Sequence, residues 1–212
     1  LPKQERGIAT REAILQAGAR VFGRMHYERA RVADILAEAG ITQGGFYFHF
    51  PGGKKQVAEE LILRQDAAFA ELRDAAAAEG EGISALVAIG RALGRHLQAD
   101  AVARAGVRLV TQAPEEFPGV AQLVNPSWLQ ALESTLERAR ADGSLHRGVD
   151  IPRAARSLVY LFNGTHASSY VSDGWEALPD AVETAIEFAV QALAAPDASR
   201  CAQGSGDPDA RR

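Results

Sequence analysis

The sequence has 212 residues, 47% of them hydrophobic and 7% aromatic, with a net charge of −4. That length suits one large domain or a small module on a larger one, and an alanine-prominent composition without β-branched runs favours packed helices over sheets. No run of about 18 apolar residues and no apolar signal core is present, so a membrane or secreted protein is set aside and a soluble, cytoplasmic one is predicted; the lone Cys201 excludes an internal disulfide or a zinc site.

In chain order, Thr10 to Met25 carries Ile14, Leu15, Gly18, Val21, Phe22 and Met25 at the spacing of one helical face, and His26 follows where a helix end often takes a left-handed residue. Val32 to Ala39 repeats the pattern with Ile35 and Leu36 and stops at Gly40. Ile41 reads as a buried hinge, Thr42 as an N-cap, and Gln43 to His49 as a third, very short helix. Three helices packed into so short a span, the last two joined by a tight glycine-containing turn, predict a helix-turn-helix.

Pro51-Gly52-Gly53 breaks the chain before a long helix from Lys54 or Lys55 to about Glu79, with Val57, Leu61, Ile62, Phe69 and Leu72 on one side. Gly80-Glu81-Gly82 ends it, and Ile83 to Leu97 and Ala101 to Gln112 read as two more helices. The three prolines between Pro114 and Pro126 predict a loop with one helical turn at most, followed by a helix over Ser127 to Ala141. Asp150 as N-cap and Pro152 in the first turn open a helix to about Tyr170, broken by Ser172-Asp173-Gly174. Leu178 to Ala194 is the last amphipathic helix, and the polar stretch from Pro196 predicts a disordered tail. There is no internal repeat. The expected division is residues 1–55 as a helix-turn-helix module, 56–195 as a larger helical body, and 196–212 as the tail.

The charge is unevenly spread. Residues 1–55 hold nine Lys/Arg against five Asp/Glu, a net of +4, which leaves −8 for the remainder. A basic head on an acidic body fits a DNA-contacting module, because phosphate attraction is screened within about 8 Å at physiological salt.

The stretch "ITQGGFYFHF", Ile41 to Phe50, concentrates the candidate DNA contacts. In a helix-turn-helix the second helix enters the major groove. Gly44 and Gly45 allow a close backbone approach there, although a helix-interior glycine costs about 1 kcal/mol relative to alanine. Thr42 and Gln43 are suited to phosphate or base contacts, Tyr47 and His49 to phosphates, and Phe46 or Phe48, together with Phe50, to the core of the small domain. Arg31, Lys54 and Lys55 complete the candidate set.

The run "ADILAEAGITQGGFYFHF" resembles the signature of the tetracycline-repressor (TetR) family of bacterial transcriptional repressors, most closely over residues 10–65. The resemblance implies an all-α, TetR-like fold: a three-helix DNA-binding domain followed by a helical ligand-binding and dimerisation domain. There are departures. His26-Tyr27 stands where the family usually has glycine before the aromatic, and Arg29-Ala30-Arg31 replaces a Ser or Thr, so the second helix loses a hydroxyl cap while Arg31 offers charge to a phosphate. Pro51-Gly52-Gly53 is one residue longer than the common connector, which leaves open whether Lys54 or Lys55 reaches the DNA.

Beyond the head, "RAGVRLV" (Arg104 to Val110) and "WLQALESTLERARADGSLHRGVDIPRAA" (from Trp128) resemble the γ-butyrolactone receptor branch, whose members sense small lactone or butenolide hormones. Trp128 resembles that branch's ligand-contacting tryptophan. Gln65 falls between Leu61 and Phe69 on an apolar helical face, and Thr165 shares a face with Leu158, Leu161 and Phe162; polar groups so placed fit either bound water or the few orienting contacts of an apolar ligand pocket. The candidate ligand set is Gln65, Phe69, Leu93, Leu97, Val107, Trp128, Phe162 and Thr165. His96, His146 and His166 lack metal-ligand spacing, and neither metal nor cofactor is expected. A second apolar face on the last two helices (Ala155, Val159, Phe162, Tyr170, Val182, Ile186 and Val190) predicts a homodimer.

The partners implied are double-stranded operator DNA, a lactone or butenolide effector and a second copy, with no membrane. A multidrug-sensing repressor of an efflux pump is the alternative. An enzyme is discounted for want of a phosphate loop, nucleophile elbow or dinucleotide fingerprint, and a helical adaptor would not need the basic glycine-aromatic head.

Overall fold

Helices account for every extended element in the computed structural model, which describes residues 3–196, with residues 3 and 119–125 described by backbone alone. In chain order these are α1 (Lys3–Arg24), α2 (Val32–Ala39), α3 (Gln43–His49), α4 (Gly53–Glu79), α5 (Ala85–Ala99), α6 (Ala101–Gln112), α7 (Pro118–Ala141), α8 (Ile151–Asp173) and α9 (Leu178–Leu193). Short 3-10 turns precede α5 and α7, and Leu145 and Ala194 form an isolated antiparallel bridge. Among the described residues, no helix is long and apolar enough to cross a membrane.

The chain divides into two compact units. The first comprises residues 1–71 and 99–125, the second residues 72–98 and 126–212. The expected boundary at residue 55 thus falls inside α4, and α6 belongs with the N-terminal helices.

In the first unit, α1 packs on α2 and α6 around a core that includes Ile14, Leu15, Phe22, Ile35, Phe46, Phe50, Leu61, Ile62, Leu109 and Phe117. The crossing of α1 and α4 is close: a Cβ on Gly18 would lie 2.6 Å from Val57 Cγ1, so glycine is required there. Tyr27 sits between two rings, 5.8 Å from Phe22 and 4.9 Å edge-on from Phe117. Helix α3 is too short to persist in isolation. Phe46 and Phe50, four residues apart and fully buried, hold it down, each contributing about 1.5–3 kcal/mol of apolar burial.

In the second unit, α5 approaches α9 through two glycines. A Cβ on Gly90 would meet Ile186 Cγ1 at 2.9 Å, and one on Gly94 would meet Pro179 Cα at 3.3 Å. Gln98 Nε2 donates to the Glu176 carbonyl at 2.5 Å, and Arg91 pairs with Glu183. The α8–α9 turn is left-handed at both Gly174 (φ 66°) and Trp175 (φ 75°). Asp173 holds it, accepting from the Trp175 and Ala177 amides at 3.0 and 3.1 Å, while the Trp175 indole donates to the His166 carbonyl at 2.6 Å.

Three expectations are corrected. His26 is not left-handed; Trp175 is the non-glycine residue with positive φ among those described. Helix α1 begins at Lys3, well before Thr10. The segment Pro114 to Pro126 is not a loop, because α7 begins at Pro118 and runs through Pro126. Two of its three prolines, Pro114 and Pro118, sit at helix starts, where a missing N–H costs nothing. The expected tail lies beyond Pro196, outside the described residues.

Candidate nucleic-acid interface

Local sequence shapes the turn that presents α3. Gly40 ends α2 with φ 66°, a conformation open to glycine, and its N–H donates to the Leu36 carbonyl. Thr42 then caps α3, its Oγ1 accepting from the Gly45 amide at 3.2 Å. The hydroxyl cap missing from α2 is replaced from inside the helix: the Arg31 N–H donates to the Asp34 carboxylate at 2.7 Å. The Arg31 side chain is left exposed.

The buried Phe46 and Phe50 fix which face of α3 looks outward. Thr42, Gln43 and Gly44 are exposed, Tyr47 is partly so, and Gly45 and His49 are half-buried. Phe48, one of two candidates for the core, points to solvent at 82% exposure. A Cβ on Gly44 would meet nothing within 4 Å. The protein's own packing therefore does not demand glycine at that position.

Lys54 and Lys55 take different environments. Lys54 Nζ donates to the carbonyls of Tyr27 and Ala30, each at 2.9 Å, and lies 4.3 Å from the centre of the Tyr27 ring. It closes the loop after α1 and has its donors on backbone oxygens. Lys55 is exposed.

Much of the remaining positive charge in this unit is matched locally. Arg20 and Arg24 both bind Glu38 at 2.5 Å, and these bonds hold that carboxyl below the usual carboxylate range. Arg64 binds Glu12 at 2.6 Å and Glu60 at 3.0 Å, and Arg11 also pairs with Glu60. None of these ion pairs involves Arg29, Arg31 or Lys55, which are all exposed.

The eight expected ligand contacts do not all belong to one unit: Gln65, Phe69 and Val107 fall in the first, and Leu93, Leu97, Trp128, Phe162 and Thr165 in the second. In the first unit, Gln65 is buried where α4 meets α6, and a Cβ on Gly106 would lie 2.6 Å from its own Cβ. Phe69 and Val107 are buried as well. In the second, Leu93 and Leu97 are buried on α5, and Phe162 lies edge-on to His166 at 5.5 Å. Trp128 is half-buried, with the guanidinium of Arg73 over its ring at 5.2 Å.

Thr165 lies in a surface groove of α8 and α9 with Tyr160, Leu161, Gly164, Ser168 and Ala181, and its hydroxyl donates to the Leu161 carbonyl at 2.8 Å. Trp128 does not line that groove. The expected second apolar face is also redistributed: Val182 and Ile186 are buried against the α5 glycines and Ala155 is fully buried. The large apolar side chains that α8 and α9 leave outward are Tyr160, Tyr170, Val171 and Phe188. No group of His, Cys, Asp and Glu among the described residues is arranged to hold a metal ion.

Sequence reasoning offered Phe48 as an alternative to Phe46 for the core and did not single out Phe188 or Arg73. A signal existed for the last, since Arg73 continues the four-residue ladder Leu61, Gln65, Phe69 along α4.

Comparison with known proteins follows the same lines. Residues 14–61 match the family described as bacterial regulatory proteins, tetR family. The A-factor receptor protein of Streptomyces griseus is 29% identical over 174 residues, which cover 82% of this chain and 60% of that protein, so the chain spans less than two thirds of the relative's length. A structure described as the molecular basis for control of antibiotic production by bacterial hormones is 28% identical with a TM-score of 0.74, covering 89% of this chain and 99% of that one. A γ-butyrolactone receptor, described as an ArpA-like protein, is 25% identical with a TM-score of 0.68, again covering 89% and 99% of the two chains.

Proposed function

We propose that this chain, whose residues 14–61 match the tetR family of bacterial regulatory proteins, is a ligand-responsive DNA-binding repressor, released from a pseudo-palindromic operator by a small γ-butyrolactone or butenolide-type signal. The observation that carries the DNA half is the outward face of α3, where Gln43, Gly44, Tyr47 and Phe48 are exposed and the glycine answers to nothing inside the protein. Gln43 reads a base edge, with bidentate contact to adenine as the favoured geometry. Arg31, Lys55, Thr42, Tyr47 and His49 set the register on phosphates, and Gly44 and Gly45 let the backbone come close. Lys54 works indirectly by fixing the loop beneath Lys55.

The effector half is supported by the likeness to the A-factor and γ-butyrolactone receptors. Trp128, Leu93, Leu97 and Phe162 supply apolar surface in the second unit. Gln65, Phe69 and Val107 are candidates of the first unit alone, on α4 and α6, and Thr165 is reassigned to the α8/α9 face. That face, with Tyr160, Tyr170, Val171 and Phe188, is covered by a second copy. Two heads then address half-sites about one helical turn apart, roughly 34–36 Å. The effector acts only through a difference in its affinity for the DNA-bound and released states.

Selection of bound duplexes from a random library by the full chain tests the reading. Enrichment of two inverted half-sites spaced by a helical turn supports it; enrichment of no sequence, at a salt concentration where other duplex-binding proteins select theirs, contradicts it.

A further inference from the structure

In the second unit, Arg73 of α4 and Trp128 of α7 form a pair that the repressor reading leaves unexplained. The Arg73 side chain keeps only 12% of its exposure and lies over the indole, 5.2 Å from the ring centre to the guanidinium carbon. Its Nε donates to Asp74 at 2.8 Å, but that carboxylate is 69% exposed, so the countercharge stands at the solvent end. Nη1 is buried and has no hydrogen-bond partner among the described residues.

Stacking on an indole satisfies the face of a guanidinium and not its edge, where the N–H donors point. A buried donor left unmet is costly, the more so on a charged group, and an apolar side chain of similar length would pack on the ring without that penalty. Arginine at this position is therefore suited to an acceptor from outside the chain. The charge decides the acceptor's nature: a cation whose carboxylate partner among the described residues faces water is best matched at its inner edge by an anion.

We propose that Arg73 and Trp128 form the polar end of the effector site and that the effector carries a carboxylate, which accepts from Nη1 while the indole supplies an apolar wall. This rests on the reading of the protein as an effector-responsive repressor and replaces the neutral lactone of that reading with an acid.

The test compares two molecules of one carbon skeleton, γ-decalactone and the 4-hydroxydecanoate formed when water opens its ring. Each is titrated into the full chain, followed by tryptophan fluorescence, for the wild type, Arg73→Met and Arg73→Lys. Wild-type protein is expected to bind the hydroxy acid at least tenfold more tightly than the lactone. Arg73→Met, which keeps the packing on the indole, removes that preference and leaves lactone affinity within threefold; Arg73→Lys keeps part of it. Circular-dichroism melting shows whether the variants are folded, and if Arg73→Met is not, the comparison rests on Arg73→Lys. A wild type that binds the lactone as well as the acid, or a folded variant with the full preference, overturns the assignment. A lactone that binds and releases DNA while the acid does neither removes this inference and leaves the repressor reading standing. Binding of neither molecule overturns the assignment, and the repressor reading falls with it only if culture extract also fails to release DNA.

Discussion

Lys54 stands over the Tyr27 ring at 4.3 Å and donates to the carbonyls of Tyr27 and Ala30, each at 2.9 Å. Its neighbour Lys55 points into solvent. Adjacent residues of one type thus take different surroundings, and the proposed tasks are structural for Lys54 and electrostatic for Lys55. Lys54→Ala is expected to lower stability by about 2 kcal/mol, since charged hydrogen bonds to two backbone carbonyls are lost. Lys55→Ala should leave the melting temperature unchanged, weaken binding to all duplexes alike and reduce the salt slope by about one. Thermal melting and anisotropy titrations at several salt concentrations separate the two effects.

Gly44 has open space where a side chain would be. Gly44→Ala should therefore stabilise the free protein by up to about 1 kcal/mol, as expected for alanine over glycine in a helix. The same methyl stands between α3 and the DNA, so specific affinity should fall about tenfold, the scale of one spoiled base contact. Gln43→Ala should relax preference at one base pair per half-site by about 1–3 kcal/mol. Equal affinity of the Gly44→Ala variant for the selected operator would place another surface in the groove.

Phe188 is 74% exposed on α9, with Tyr160 and Val171 exposed on α8. If a second copy covers this face, as proposed, Phe188→Asp should dissociate it, because an uncompensated carboxylate at an apolar interface is costly. Sedimentation velocity should show a dimer for the wild type and a monomer for the variant, with circular dichroism unchanged. A dimeric variant would move the interface elsewhere.

His166 is buried beside Phe162 and Trp175, and burial lowers its pKa from 6.5 to about 4. Above pH 6.5 the imidazole is neutral in both folded and unfolded chains and contributes no pH dependence. As pH falls from 6.5 towards 4, the unfolded chain gains a proton that the folded one refuses, so stability declines, by about 3 kcal/mol in all, and the loss levels off below 4. Asp173, held below its usual range chiefly by the Ala177 amide, titrates beneath that window. Urea denaturation across pH 4–7 should show the decline in the wild type and a flatter curve in His166→Phe.

The sequence was most legible where a single residue decides a boundary. Gly40 and Thr42 mark the end of α2 and the start of α3, and Asp150 caps α8 through the Arg153 amide, because each acts on backbone groups within three or four residues. What escaped depends on partners distant in sequence. Val182 and Ile186 turn inward because Gly90 and Gly94 bring α5 close, and no pattern within α9 reveals that. Lys54 finds its acceptors in the loop after α1, and Phe48 faces outward because Phe46 and Phe50 suffice to anchor α3. Pro126 misled for the opposite reason, being read locally as a breaker inside what is a continuous helix.

As proposed, this chain holds DNA until a small molecule releases it. The direct measurement is a fluorescence-anisotropy titration of the full chain against the DNA upstream of its own gene, at two salt concentrations, with and without an organic extract of the source culture. Tight binding that weakens with salt and is released by the extract is expected. Absence of binding at low salt would contradict it, and binding that the extract leaves untouched would contradict its effector half.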